Sequence, residues 1–126
     1  MNYKWGKTSL ERLGSCDTRL QQLCNELLGK CGFDLTITCG YRGKEEQDEA
    51  YRTGKSKAKF GQSKHNTYPS KAVDICPYPV NWDTKDYRWW KMIATAQEIA
   101  RKNGFKIRSG AFFTGLCDCP HLEIEE

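Results

Sequence analysis

The two histidines of this chain restrict its fold more than any other feature of the sequence. His65 lies in residues 63–74, Ser-Lys-His-Asn-Thr-Tyr-Pro-Ser-Lys-Ala-Val-Asp, and His121 lies in residues 117–123, Cys-Asp-Cys-Pro-His-Leu-Glu. Each segment contains carboxylates at short spacing from its histidine. Two imidazoles and a carboxylate are a common ligand set for a catalytic zinc ion, which keeps its fourth position open for water. The sequence therefore predicts a fold that brings the two segments together around a metal.

Asp74 supplies the third expected ligand. It lies within residues 72–75, Ala-Val-Asp-Ile, an apolar run with the character of a strand. An unpaired carboxylate in such a place is costly, and a bound metal removes that cost. We expect His65, Asp74 and His121 to hold Zn²⁺, with Asp118 as the general base.

The same residues resemble a known family, the zinc D,D-peptidases. That family includes D-Ala-D-Ala carboxypeptidases and dipeptidases and the phage L-alanyl-D-glutamate endolysins. Its pattern is Ser-x-His, then Ala-x-Asp, then an acidic residue three positions before a histidine. This chain fills the pattern in order with Ser63, His65, Ala72, Asp74, Asp118 and His121. The acidic residue of the last motif is an aspartate, Asp118, in which the chain resembles the phage endopeptidase branch. Cys119-Pro120 and the long spacing between the first two motifs depart from the pattern of many relatives.

The resemblance implies an α+β fold of the Hedgehog/D,D-peptidase kind, with about three helices against a small, mostly antiparallel sheet. It implies a zinc metallopeptidase that hydrolyses peptidoglycan stem peptides at the L-Ala–D-Glu bond, as a phage endolysin in host lysis. Arg42, which follows a predicted strand, is expected to bind substrate or stabilise the oxyanion. Ser63 is expected to hydrogen-bond substrate or to orient His65. A D-Ala-D-Ala carboxypeptidase on the same site is the alternative activity.

Strand geometry leaves a second candidate for the base. In a regular strand, His121 and Glu123 share a face, while Asp118 lies on the opposite face. Asp118 can serve the same metal only if the chain bends, and Pro120 after a turn can supply that bend. Glu123 is then the rival base, or an acceptor that orients the His121 ring.

Cysteine usage offers a different metal site. Seven cysteines without a secretory signal argue against a full disulfide framework, so most should be reduced. Cys117, Cys119 and His121, with Cys76 as fourth ligand, could instead form a structural zinc knot. In that case the chain would be a non-catalytic, zinc-stabilised binding module, and residues 63–74 would be left without an explanation.

The length, net charge and hydropathy of the chain bear on its domain number, its partners and its location. A chain of 126 residues fits a single catalytic domain, residues 1–126, with no separate wall-binding domain. The net charge of +4 is mild, and no basic tract is interleaved with aromatics, so we expect no nucleic-acid partner. No apolar run approaches the roughly 20 residues that span a bilayer, and residues 1–7 lack the apolar core of a signal peptide. We expect a monomer that stays in the host cytoplasm until release lets it act on the cell wall.

Periodicity predicts the elements that carry these residues. Apolar spacing favours one helix over about residues 8–29, capped by Thr8 or Ser9. It also favours a strand over residues 72–75 that Pro77 and Pro79 end. The longest helix, capped by Asp83 or Thr84, is expected to bury Tyr87, Trp90, Ile93, Ala94, Gln97 and Ala100. The predicted elements are helices over residues 8–29, 44–53 and 84–103 and strands over 33–39, 72–75, 106–109 and 120–125.

Overall fold

The computed structural model describes residues 2–113 and 118–126, which form four α-helices and a four-stranded antiparallel sheet. The α+β class expected from the sequence is confirmed. The elements in chain order are α1 (Lys7–Gly14), α2 (Thr18–Lys30), β1 (Asp34–Cys39), α3 (Lys44–Arg52), β2 (Ala72–Tyr78), α4 (Tyr87–Lys102), β3 (Ile107–Ser109) and β4 (His121–Ile124), with single 3₁₀ turns at Lys64–Asn66 and Gly110–Phe112.

The N-terminal helix is divided in two, so the prediction of one helix was wrong. Asp17 starts α2, because its carboxylate accepts a hydrogen bond from the backbone N–H of Arg19. Its own N–H donates to the carbonyl of Ser70 at 2.8 Å, which fixes the break against the chain that leads into β2. Ser9 is not a cap, since its buried hydroxyl accepts the N–H of Ile37 in β1. At the end of α1 the hydroxyl of Ser15 donates to the Arg12 carbonyl, a local bond that competes with helical hydrogen bonding.

The strand order in the sheet is β1-β2-β4-β3, with every neighbouring pair antiparallel. Of the two prolines predicted to end β2, Pro77 does not, because it pairs with Leu35 of β1; the strand continues to Tyr78, and Pro79 follows its last residue. β4 pairs with β2 only as far as Asp74. Pro77 therefore lies where β2 has one neighbour, a position that tolerates a residue without an N–H.

The core lies where α2 and α4 pack on each other and α4 packs on the sheet. Ile93 and Ala100 are buried as predicted, but Tyr87, Trp90, Ala94 and Gln97 are exposed, and Trp89 takes the inner position. Trp89 and Trp90 are adjacent and equally apolar, so periodicity alone gave the wrong one. The helix begins three residues later than Thr84, after Asp86, whose carboxylate accepts the N–H of Arg88. The other buried side chains of α4 are Met92, Ala96 and Ile99.

A row of three residues crosses the sheet at one level. Cys39 of β1 pairs with Asp74 of β2, and Asp74 pairs in turn with His121 of β4. The register between β1 and β2 shifts between Ile37 and Cys39, so Thr38 is the extra residue of a β-bulge. Directly opposite residues share a face of the sheet. The fold thus brings a thiol, a carboxylate and an imidazole onto one face.

Candidate active site

Three side chains predicted as metal ligands meet at this row. His65 Nε2 lies 3.1 Å from Asp74 Oδ1 and 3.2 Å from His121 Nδ1, and His121 Nδ1 lies 3.4 Å from Asp74 Oδ1. Both imidazoles are buried, with exposed fractions of 2% for His65 and 7% for His121. Asp74 and His121 come from neighbouring strands, whereas His65 comes from the one-turn helix Lys64–Asn66. The two distant sequence segments therefore do converge.

Hydrogen bonds on the outer side of each ring fix which nitrogen faces inward. His65 Nδ1 donates to the carbonyl of Gly40 at 2.7 Å, and His121 Nε2 donates to Glu123 Oε1 at 2.8 Å. A carbonyl and a carboxylate can only accept, so these nitrogens carry the hydrogens of the neutral rings. His65 Nε2, His121 Nδ1 and Asp74 Oδ1 then all present lone pairs to one another. Outer partners of this kind orient metal-binding histidines in proteins.

The residues present fit a metal ion. Within residues 2–113 and 118–126, one group that could hold a metal contains Cys39, His65 and Asp74, and a second contains Asp74, Asp118 and His121. In each group the ligand atoms lie within 4.8 Å of one another. Asp74 belongs to both groups, and imidazole, carboxylate and thiolate are all ligands that zinc accepts. Asp74 is therefore the centre of the candidate metal site.

The pKa values of the three clustered side chains also favour a bound cation. Burial lowers the pKa of His65, but its hydrogen bond to Asp74 and the charge of that carboxylate outweigh burial and raise the pKa to about 10. The pKa of His121 is raised for the same reason. Burial alone would raise the pKa of Asp74, yet its hydrogen bonds to the two imidazoles hold it well below its usual range. The three atoms therefore favour a positive charge between them, which either a proton or a metal ion can supply.

Asp118 and Glu123, the two candidate bases, lie in different surroundings. Glu123 accepts from His121 and forms an ion pair with Lys64 at 3.3 Å, and these contacts lower its pKa although burial opposes them. Burial, together with the nearby charge of Asp74, raises the pKa of Asp118. Within the described part of the chain, the Asp118 carboxylate forms no ion pair. Glu123 is thus committed to orienting His121, while the carboxylate of Asp118 is not tied to a cation.

The expected bend before β4 brings Asp118 to the same side as His121. Residues 119 and 120 form a turn, in which the N–H of His121 donates to the Asp118 carbonyl at 3.2 Å. Gly110 holds this turn from the other side, since its carbonyl accepts the Asp118 N–H at 2.8 Å. A Cβ at Gly110 would come within 2.3 Å of the Asp118 carbonyl oxygen, so only glycine allows this approach.

Arg42 and Ser63 both lie beside the cluster. Arg42 Nη2 is 3.8 Å from Asp74 Oδ2, and Nη1 donates to Gln47 at 3.1 Å. The buried Gln47 in turn donates to the Ser56 hydroxyl and the Ala58 carbonyl, and so holds the loop after α3 beside Arg42. The hydroxyl of Ser63 accepts the backbone N–H of His65, which matches the orienting role among the two expected for it.

An open cleft of about 1210 Å³ runs over the cluster. One wall comes from α3 and the following loop, with Glu46 and Lys55, and the other carries Trp82, Arg108 and Phe113. Arg42, Ser63, His65, Asp74, Asp118, His121 and Glu123 all line it. An extended peptide can therefore cross directly over the cluster.

The alternative zinc knot receives no support from the described residues. Neither metal-binding group in residues 2–113 and 118–126 contains Cys76 or Cys119. Both ring nitrogens of His121 are engaged, by Asp74 and Glu123. Cys117 lies outside the described residues. The cysteines at 16, 24, 31, 39 and 76 are free thiols.

Sequence reasoning missed several residues that build the site. Cys39 belongs to the site because of the β-bulge, which no local sequence pattern predicts. Gly40 supplies the carbonyl that orients His65, and a Cβ there would come within 2.2 Å of the Arg12 carbonyl oxygen. Lys64 lies between Ser63 and His65 in the Ser-Lys-His motif, which is the sequence signal for its place in the site, whereas its ion pair with Glu123 appears only in the fold. It also donates to the carbonyl of Ile124.

The site has the features of a hydrolase site arranged around a cation. Two buried imidazoles share a carboxylate, a second carboxylate lies beside them, and an open cleft lies above. The model of one family, the phage L-alanyl-D-glutamate peptidase, matches residues 1–124, and the chain belongs to that family. It is therefore a peptidase that hydrolyses peptidoglycan, and the resemblance inferred from the motifs is confirmed.

The fold is shared with a solved enzyme. The crystal structure of the Serratia marcescens L-Ala D-Glu endopeptidase ChiX superposes with a TM-score of 0.81 at 22% sequence identity. The match covers 97% of this chain and 90% of that one. At this level of identity, the similarity establishes the fold. No helix in the described residues is both long and apolar enough to cross a membrane.

Proposed function

We propose that the protein is a zinc-dependent endopeptidase that cleaves the L-Ala–D-Glu bond of peptidoglycan stem peptides and serves a phage in host lysis. The observation that carries this proposal is the convergence of three lone-pair atoms, from His65, Asp74 and His121, at 3.1 to 3.4 Å from one another. A zinc ion bound at about 2.0–2.2 Å by each ligand in tetrahedral geometry needs a similar spacing. Membership of the L-alanyl-D-glutamate peptidase family supports the choice of bond.

Cys39 is the rival for the third ligand position. Its Sγ lies 3.8 Å from His65 Nδ1, the nitrogen that donates to the Gly40 carbonyl. Using that nitrogen as a ligand would break a buried hydrogen bond and leave the Gly40 carbonyl without it. His121 faces the opposite nitrogen, which is free of backbone contacts, so we favour His65, Asp74 and His121 as the ligands.

The remaining residues divide the chemical work. Zn²⁺ supplies Lewis acidity and makes water a nucleophile at neutral pH. Asp118 accepts the proton of the attacking water and passes it to the departing amine nitrogen, a task that suits a carboxylate with a raised pKa. Arg42 lies beside Asp74 and can donate to the carbonyl oxygen as its negative charge develops. Lys64 and Glu123 hold His121 in place through the contacts described above.

Metal content tests the cofactor. We expect about one zinc per chain, as in other three-ligand hydrolase sites, and reversible loss of activity on chelation. A His65→Ala, Asp74→Ala double variant should bind no zinc, while Asp48→Asn, a change on the outer face of α3, should keep it. Stoichiometric zinc in the double variant would refute this ligand set.

Digestion of purified peptidoglycan tests the bond. Mass spectrometry should find new N-terminal D-glutamate after the digest, as expected for an endopeptidase that cuts before this residue. Release of free D-alanine would instead support the carboxypeptidase alternative. A protein that binds zinc and wall but produces no new termini would be a binding module, and would contradict the proposed activity.

A further inference from the structure

The cations of the cleft differ in what they contact. Among the lining residues, Arg42 pairs with Asp74 and Lys64 pairs with Glu123, so both are engaged with the cluster itself. Within residues 2–113 and 118–126, Arg108 and Lys55 form no ion pair. Lys55 lies on the α3 wall, and Arg108 lies on the wall that also carries Phe113 and His121.

Arg108 has an acidic neighbour that it does not use. It pairs directly with Glu123 between β3 and β4, and such opposite-charge pairs normally interact across strands. The Glu123 carboxylate turns instead to His121 and Lys64. Because directly opposite residues share a face, the Arg108 side chain stands on the face that carries the cluster.

An aromatic ring links this guanidinium to the cluster. The Arg108 guanidinium lies over the Phe113 ring at 4.5 Å from its centroid, and the Phe113 ring lies 5.2 Å from the ring of His121. Stacking on an aromatic face leaves the in-plane N–H groups of arginine free to donate. The guanidinium therefore presents an unused, flat donor edge one ring away from His121.

The substrate of this family brings a matching group. A glutamate residue has two carboxyls, and at most one of them continues the peptide chain. The other remains a carboxylate close to the scissile nitrogen. Asp118 and Glu123 line the same cleft and repel this carboxylate, and a cation that is not paired with either of them would offset the repulsion.

We propose that Arg108 binds the free carboxylate of the substrate glutamate and makes the enzyme select glutamate over its amide at this position. Planar, bidentate pairing with a carboxylate is the interaction for which arginine is best suited. Phe113 acts as the platform that holds the guanidinium flat. The inference rests on the proposed cleavage of the L-Ala–D-Glu bond. A charge on the edge strand β3 would by itself only deter pairing with another strand. The proposal gives Arg108 a role in substrate selection beyond that.

A pair of stem peptides that differ in one group tests the inference. In one peptide the glutamate carboxyl that does not continue the chain is free, and in the other it is the amide. We expect the wild-type kcat/KM to be about 10- to 100-fold higher for the free acid, the effect of one charged hydrogen-bonded contact. Equal rates for the two peptides would overturn the proposal. If the wild-type enzyme cuts neither peptide before glutamate, the proposed function is overturned as well. The absence of any cleavage distinguishes this outcome from equal rates on the two peptides.

Variants locate the effect. Arg108→Gln should lower kcat/KM for the acid peptide by about the same 10- to 100-fold and leave the amide peptide unchanged. Arg108→Lys keeps the charge without the planar fork, so it should lose part of the selectivity. Lys55→Gln, in the cleft, and Arg101→Gln, an exposed arginine of α4 outside it, should leave the ratio of the two rates as in wild type.

Two outcomes would contradict a binding role for Arg108. An equal loss on both peptides with Arg108→Gln would mean that Arg108 only supports Phe113 and the turn. Loss of selectivity in Lys55→Gln would mean that the overall charge of the cleft, rather than Arg108, attracts the acid. Thermal unfolding of each variant checks folding, and Arg108→Lys decides the question if the glutamine variant does not fold.

Discussion

Two charged clusters in this molecule are built from similar parts and do different things. At the start of α2, the Asp17 carboxylate contacts the Arg19 side chain at 3.0 Å and Lys71 Nζ at 2.8 Å. At the sheet row, Asp74 contacts His65 and His121 at similar distances. Both carboxylates are largely buried, both join distant parts of the chain, and both have pKa values held well below the usual range by hydrogen bonds.

The difference lies in which atoms face inward. Around Asp17, each carboxylate oxygen meets N–H donors, from Arg19 and from Lys71, so the cluster is complete. Around Asp74, the ring N–H groups point outward to Gly40 and Glu123, and acceptors face one another in the middle. The first cluster ties α2 to the chain that leads into β2, while the second lacks a positive charge that a proton or a metal ion would supply. This contrast separates a structural ion pair from a candidate metal site built of similar groups.

Asp118→Asn should show the largest effect, because it removes the proposed general base without disturbing the acceptors around Asp74. We expect zinc content as in wild type and peptidoglycan hydrolysis slower by about 10² to 10⁴-fold. Metal analysis and turbidity loss of purified walls measure the two quantities. Asp48→Asn, which affects only an exposed pair with Lys44, is the matched control. Loss of zinc in Asp118→Asn would make this residue a ligand.

Glu123→Gln should act on the outward side of the same cluster. Without the carboxylate, the His121 ring loses its charged acceptor, and zinc affinity should fall by about 10- to 100-fold. Turnover under saturating zinc should be retained better than in Asp118→Asn. Competition titration with a zinc chelator measures the affinity, with Glu125→Gln as the exposed control on the same strand end. If the two variants exchange their behaviour, Glu123 is the base.

Asp17→Asn should weaken the complete cluster and leave the incomplete one alone. The free energy of unfolding should fall by about 1 kcal/mol, since the variant loses the ion pairs to Arg19 and Lys71 while asparagine still caps the helix, and zinc content should stay unchanged. The folded-state pKa of Asp17 lies below its unfolded value of about 3.9, so its contribution is present above that pH. The difference between wild type and variant should therefore be constant at neutral pH and shrink on acidification below about pH 4. A difference that grows on acidification would contradict this account.

Serine at both Cys117 and Cys119 should have the smallest effect on the metal. We expect zinc content as in wild type and most of the activity, with some loss of stability because Cys119 is buried. Metal analysis after gel filtration is the measurement. Protein that emerges without zinc would revive the structural knot and break the comparison between the two clusters.

The sequence by itself determined the pieces of the site that carry chemistry. The order and spacing of Ser63, His65, Asp74, Asp118 and His121 pointed to the family and to the α+β fold, and both are confirmed. Alternation and helical periodicity located the strands, α3 and α4, and merged α1 with α2 into one helix, because these patterns depend only on which side chains are apolar. The roles assigned to these residues remain predictions that the variants above test.

The tertiary structure decided what depends on contacts between distant residues. The break at Asp17 needs the Ser70 carbonyl, the choice of Trp89 over Trp90 needs the packing of α4, and Cys39 enters the site through a bulge against β2. The commitment of Glu123 to His121 and Lys64, which leaves Asp118 and Arg108 available, is likewise set by three-dimensional neighbours. Local patterns report burial and spacing along the chain, whereas the direction of a lone pair or a guanidinium is fixed only when its partners arrive from elsewhere in the fold.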